Sequence, residues 1–297
     1  MSKTSSHVRL QATVVTIACG ILWGLLWIPL RWLDSRGLGV AWVSLIFSVA
    51  MFVTPLPWLF RKSNRNYQSI AAVGGSLLLG SGFTLYLISF LFTEISNTII
   101  LYYLTPAWSV LFGILFLGHR PEAWRFIAIV LGFIGMLAVL GHETGYPTLD
   151  RIGDWTALAS GILWSIGSLM IANRQSGIVM PTAMFGLGGV LSSLVVLLVV
   201  STWGPAHAAA SSLQGNFLPA ILIAMVIFVP PNMMLLWAQQ RLDAPRVGIL
   251  LMGELLVGVT TAALFSGESF TVLHAVGATM IVLAGLIETG MIKIRTT

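Results

Sequence analysis

The residues of this sequence that could do chemistry are few, and most lie in strongly apolar surroundings. Glu254 stands between ILLMG (249–253) and LLVGV (255–259). An ionised carboxylate in the middle of such a segment costs roughly 2.5–3.5 kcal/mol on insertion scales. It must face the protein interior, find a partner or take up a proton. Three roles are open to it: proton coupling, contact with a solute's amino group, or a hydrogen-bonded structural acid. Asn232 directly follows Pro230-Pro231. Its amide either bonds a carboxylate or ammonium group or caps a broken helix. Tyr86, Tyr102 and Tyr103, with Trp23, Trp27 and Trp164, supply apolar walls and ring faces that attract an ammonium ion. Ser168 adds a hydroxyl. This chemistry suits holding a small organic solute rather than turning one over. No HExxH or recognisable nucleophile motif is present, and the single cysteine, Cys19, lies in an apolar run. No motif calls for a cofactor or a metal. An intramembrane enzyme is therefore a distant alternative. So is a channel, since there is no repeated filter motif or ring of like charges.

Composition says what must position these residues. Hydrophobic residues make up 57% of the 297, and charged residues only 8%. Soluble domains carry about 25% charged residues. The mean hydropathy of +0.93 agrees. The class is all-α integral membrane protein. Segments of about 20 apolar residues, the length needed to cross a bilayer, fall at 11–31, 39–60, 69–92, 95–117, 123–141, 152–172, 180–202, 216–238, 244–265 and 270–291. Period-2 alternation is lacking, which argues against a β-barrel. The first segment is too long for a signal peptide and lacks its cleavage pattern. It is expected to stay as a membrane span. The loops carry 12 Lys and Arg on one side against three on the other (Arg31, Arg36, Arg151). The positive-inside rule then puts both termini in the cytoplasm. A basic pI in this setting reflects topology, not nucleic-acid binding.

The chain also repeats itself. GILW occurs at 20–23 and again at 161–164, 141 positions on. LFLGHR at 115–120 lies opposite LFSGES at 264–269, an offset of 149 that also sets Glu94 against Asp243 and Thr105 against Glu254. Five spans per copy is an odd number, so the copies cross in opposite senses. The expected architecture is ten transmembrane helices in two inverted five-helix repeats, 11–141 and 152–291, joined by the loop 142–151. Gly20, Trp23, Gly24 and Trp27 form one helical stripe, and Gly161, Trp164, Ser165 and Ser168 repeat it. Small residues four apart let helices approach closely in lipid. Helix breaks are expected at matching depths, at Gly80-Ser81-Gly82 in span three and Pro230-Pro231 in span eight. Broken helices mark transporter sites, although kinks for packing are the alternative.

The ten-span plan, the Gly-x-x-x-small stripes opening spans one and six, and the Gly-bearing turns LGHRP and SGES resemble the drug/metabolite transporter superfamily in its EamA-type branch. The resemblance covers about 11–291. Within that branch the Trp- and Tyr-rich set resembles the YddG-like aromatic amino acid exporters. The turn after span four usually carries Gly-Glu there, whereas this chain has Gly118-His119. The resemblance implies a secondary transporter of the cell (inner) membrane. It would export aromatic or other neutral amino acids by alternating access, through a cavity between the repeats. Export of drugs or other metabolites is the runner-up. Five spans per half suffice for a cavity in one chain, so a monomer is expected, while smaller relatives are dimers. Trp23, Trp27, Tyr86, Tyr102, Tyr103, Trp164, Ser168, Asn232 and Glu254 are the expected substrate-binding set.

Overall fold

The computed structural model describes residues 3–59, 69–89, 92–93, 95–118, 120, 122–144, 151–172, 174, 177–203, 215–266 and 271–289. Several residues singled out above lie outside these: Arg61, Lys62, Arg65, Glu94, His119, Gly267, Glu268, Lys293 and Arg295. The helices are α1 (Lys3–Gly24), α2 (Trp27–Ser35), α3 (Val40–Val53), α4 (Leu56–Leu59) and α5 (Ile70–Ser89). Next come α6 (Ile95–Tyr102), α7 (Thr105–Leu117), α8 (Ala123–Thr144), α9 (Ile152–Ile171) and α10 (Val179–Trp203). The chain continues with α11 (Phe217–Ile223), a π-helical turn (Ala224–Phe228), α12 (Val229–Gln239), α13 (Ala244–Leu251), α14 (Gly253–Ser266) and α15 (Val272–Thr289). Each of the ten expected spans falls on helix. The chain is an all-α, multi-pass membrane protein of about ten helices, some of them interrupted. Among the described residues, six stretches are long and apolar enough to span, and Ala123–Ala138 and Val272–Ile287 are shorter apolar helices.

Lipid takes the place of water outside. Leu115, Phe116, Val195 and Leu198 are each more than half exposed on α7 and α10. The interior holds the larger rings, with Trp164, Tyr103, Phe47 and Phe228 essentially buried. With no hydrophobic force between helices in lipid, close contact must come from small residues and polar bonds. Gly75 of α5 and Gly167 of α9 each lie against the other's carbonyl oxygen, where an added Cβ would sit at 2.8 and 2.6 Å. Between α3 and α10, Ser44 and Ser193 share a buried hydrogen bond of 3.0 Å.

The expected break in span three is absent, because α5 runs unbroken through Gly80, Ser81 and Gly82. These glycines serve packing. A Cβ on Gly80 would collide with the Phe185 carbonyl, and one on Gly82 would lie 2.9 Å from the Ser160 carbonyl oxygen. In span eight, Pro230 and Pro231 occupy the first turn of α12, directly after the π-helical turn. A proline there lacks a donor the first turn does not need, and the widened turn ahead of it marks the interruption. A matched pair of interruptions is found instead in spans four and nine. Helix lapses at Tyr103-Leu104 between α6 and α7, and at Met252 between α13 and α14. Those positions are 149 apart. Pro106 explains the first, since it has no N–H to donate to the Tyr102 carbonyl four residues back and its ring crowds that carbonyl. Gly253 accompanies the second.

Candidate functional site

The two interrupted spans meet at their interruptions. A helix end leaves its last carbonyls without partners. The Leu251 carbonyl, ending α13, accepts from the Tyr103 hydroxyl at 3.2 Å. The Tyr102 carbonyl, ending α6, accepts from the Thr105 hydroxyl at 2.5 Å. Across the gap, Gly248 packs on the Pro106 ring. Two residues past Met252 lies Glu254, in the first turn of α14, where the free N–H groups and helix dipole favour a negative charge. Tyr86, Tyr102 and Tyr103 stand close to its carboxylate.

An aromatic cluster surrounds this acid. Tyr86 and Tyr102 are stacked at 4.3 Å between ring centroids, and Tyr102 meets Tyr103 at 5.2 Å. Trp164 stands edge-on to Tyr102 at 6.1 Å and to Trp23 at 6.0 Å. Phe83 joins them, 5.3 Å from Trp23 and 5.3 Å from Phe228. Five helices thus bring rings to one place: α1, α5, α6, α9 and the π-helical turn. The rings fill the centre, yet polar atoms are left over. Among the described residues, Trp23 Nε1, Ser168 Oγ and Asn232 Oδ1 are buried with no hydrogen-bond partner. The Asn232 amide nitrogen donates to the Phe228 carbonyl at 2.8 Å, so the side chain is held by the π-helical turn while its oxygen is left bare. Buried polar atoms are normally satisfied. Those left bare among ring faces suit a polar guest.

The sequence-expected set divides. Trp23, Tyr86, Tyr102, Tyr103 and Trp164 share the cluster, Glu254 touches it, and Asn232 and Ser168 are buried in the same bundle. Trp27 stands apart: its indole donates to Thr261 at 3.1 Å and its ring lines an open groove with Arg31, Trp32 and Phe265. The reason is local. α1 ends at Gly24 and α2 begins at Trp27, so the helical stripe that ought to carry Trp27 inward is interrupted at Leu25-Leu26. Sequence reasoning missed Phe83 and Phe228. Both adjoin residues it did mark, Gly82 and the Pro230 pair, but an isolated Phe in a lipid-facing composition carries no signal of its own.

The fold and the site now stand beside known proteins. Residues 11–141 match the EamA-like transporter family. An uncharacterized transporter of Archaeoglobus fulgidus is 25% identical over 280 residues, covering 93% of this chain and 94% of that protein. A solved crystal structure superposes with a TM-score of 0.71 at 17% identity, over 94% of this chain and 96% of its own. That likeness concerns the fold. The family match covers the first part of the chain, and the likeness of fold spans nearly all of it.

Proposed function

We propose that this EamA-type protein is a secondary transporter exporting neutral amino acids, aromatic ones foremost, by alternating access. The solute occupies a central cavity between two inverted repeats, 11–141 and 152–291, within a single chain of the cell membrane. Both termini lie in the cytoplasm. Contacts that recur at the repeat offsets support the division. The Cys19 thiol donates to the Pro231 carbonyl at 3.2 Å, and a Cβ on Gly82 would lie 2.9 Å from the Ser160 carbonyl. Ser160 is 141 positions after Cys19, and Gly82 is 149 before Pro231.

The observation that carries the substrate reading is the aromatic cluster around one intramembrane acid. The solute's ammonium group lies against the tyrosine faces and Glu254. Its carboxylate takes the unpartnered Trp23 Nε1 and Ser168 Oγ. Its side chain replaces ring contacts among Phe83, Trp164 and Tyr102. The testing experiment is efflux of labelled tryptophan, phenylalanine and threonine from proteoliposomes, with and without a pH gradient. Saturable efflux of the aromatic amino acids, blocked by the unlabelled compound, is expected. Efflux of none of the three overturns the amino-acid reading, and transport of apolar drugs instead makes this a multidrug exporter. Non-saturating flux indicates a channel.

A further inference from the structure

One fully buried group lies outside the aromatic cluster. Gln239, the last residue of α12, is 1% exposed, and neither atom of its amide has a hydrogen-bond partner among the described residues. A glutamine amide has one acceptor oxygen and two N–H donors. Leaving the whole amide dry and unpaired is costly unless something polar comes to it. Gln239 is seven residues from Asn232, two helical turns on the same face and about 10 Å along the axis. Both residues ride on α12, which packs along α1. The pairing is antiparallel, since Cys19 meets Pro231 near the middle and Arg9 reaches Asp243, at 3.5 Å, near the end. Gln239 therefore lies on this seam between the central site and a charged end. There Asp243 pairs with Arg9 and Arg125, both at 3.5 Å, and Arg246 donates to Thr13 at 3.1 Å.

We propose that Gln239 is a second solute-binding station on the α1–α12 seam, taking the ammonium and carboxylate of a zwitterion between the Arg9–Asp243 end and the aromatic centre. The two groups of an amino acid are about one amide's width apart, so a single glutamine can accept from one and donate to the other. Asn232 has one N–H committed to Phe228, and 10 Å is too far for one head group to reach both amides. They are thus successive stops. The ion pairs beyond Gln239 close the seam, and parting α1 from α12 opens the station to the aqueous phase at that end. The ligand class rests on the amino-acid reading proposed above, whereas the opening of the seam does not.

The test is thiol labelling of Gln239→Cys in a Cys19→Ser background, in oriented proteoliposomes, with a membrane-impermeant cationic methanethiosulfonate. Labelling from the Arg9 end alone is expected, slowed roughly tenfold by phenylalanine at ten times its dissociation constant. Absence of labelling from that end overturns the station. Labelling that phenylalanine does not slow overturns its zwitterion specificity. In an otherwise unaltered chain, Gln239→Leu is expected to raise KM about tenfold for phenylalanine offered at the Arg9 end, with Gln239→Asn restoring it. An equal rise at both faces, or no rise, removes Gln239 from the path. Should the unaltered protein carry no amino acid, the substrate reading fails by itself, and the labelling still decides whether the seam opens.

Discussion

Gly161 and Gly20 stand in the two copies of GILW and face corresponding partners, but they are packed differently. A Cβ on Gly161 would lie 2.9 Å from the Tyr102 carbonyl oxygen and 3.5 Å from Thr105 Oγ1. On Gly20 the nearest atoms, Leu251 O and Glu254 N, stand at 3.7 Å. One turn later, Ser165 fastens α9 to the start of α7, its hydroxyl donating to the Thr105 carbonyl at 3.0 Å. The corresponding residue of α1 is Gly24, close against the Glu254 carbonyl but with no side chain to bond it. The residues at the breaks diverge as well. Thr105 turns its hydroxyl back on its own chain, whereas Glu254 faces Tyr86 and Tyr103. One interface is locked by hydrogen bonds. At the corresponding level the other has none among the described residues, its bonds lying further off at Thr13–Arg246 and Trp27–Thr261, and it carries the acid.

This contrast can be broken residue by residue. The largest effect is expected at Glu254→Gln, which removes a charge from beside the tyrosine cluster. Transport falls on the order of a hundredfold, about 1.5–3 kcal/mol per charged hydrogen bond, and its response to a pH gradient disappears while the protein still folds. Initial efflux rates at several gradients check this; a gradient response that survives takes Glu254 out of coupling. Gly161→Ala comes next, at about 1–3 kcal/mol of stability lost to overpacking against a backbone carbonyl, read as a lower melting temperature in detergent. Ser165→Ala is expected to cost about 1 kcal/mol, the worth of one hydrogen bond, in the same assay. The smallest effect is at Gly20→Ala, within about 0.5 kcal/mol, because 3.7 Å is ordinary contact. Equal destabilisation by the two glycine substitutions would erase the asymmetry.

The helical segments, six of them among the described residues long and apolar enough to span, were legible in the sequence because crossing a bilayer demands some 20 apolar residues in a row. Much of the cluster was legible for a related reason: Trp23, Tyr86, Tyr102, Tyr103, Trp164 and Glu254 are residues a lipid-facing surface would not need. The breaks were harder. A glycine in a helix serves either to bend it or to admit a neighbour, and only the Phe185 and Ser160 carbonyls decide that Gly80 and Gly82 do the second. The lapse at Met252 depends on Tyr103 reaching across to Leu251, a contact no local pattern announces. Trp27 was misplaced because helical periodicity was carried past a helix end. Gln239 passed unnoticed, since a glutamine near a span end looks like a solvated residue until its burial is seen.

The central claim is that the aromatic cluster beside Glu254 is where the solute binds. Efflux of phenylalanine and of threonine through Trp164→Ala protein tests it most directly. Phenylalanine, which uses the ring, is expected to lose about tenfold or more in kcat/KM, the worth of one aromatic contact and its buried area, while threonine changes by less than about threefold. An equal loss for both amino acids would make Trp164 a packing residue and contradict the account.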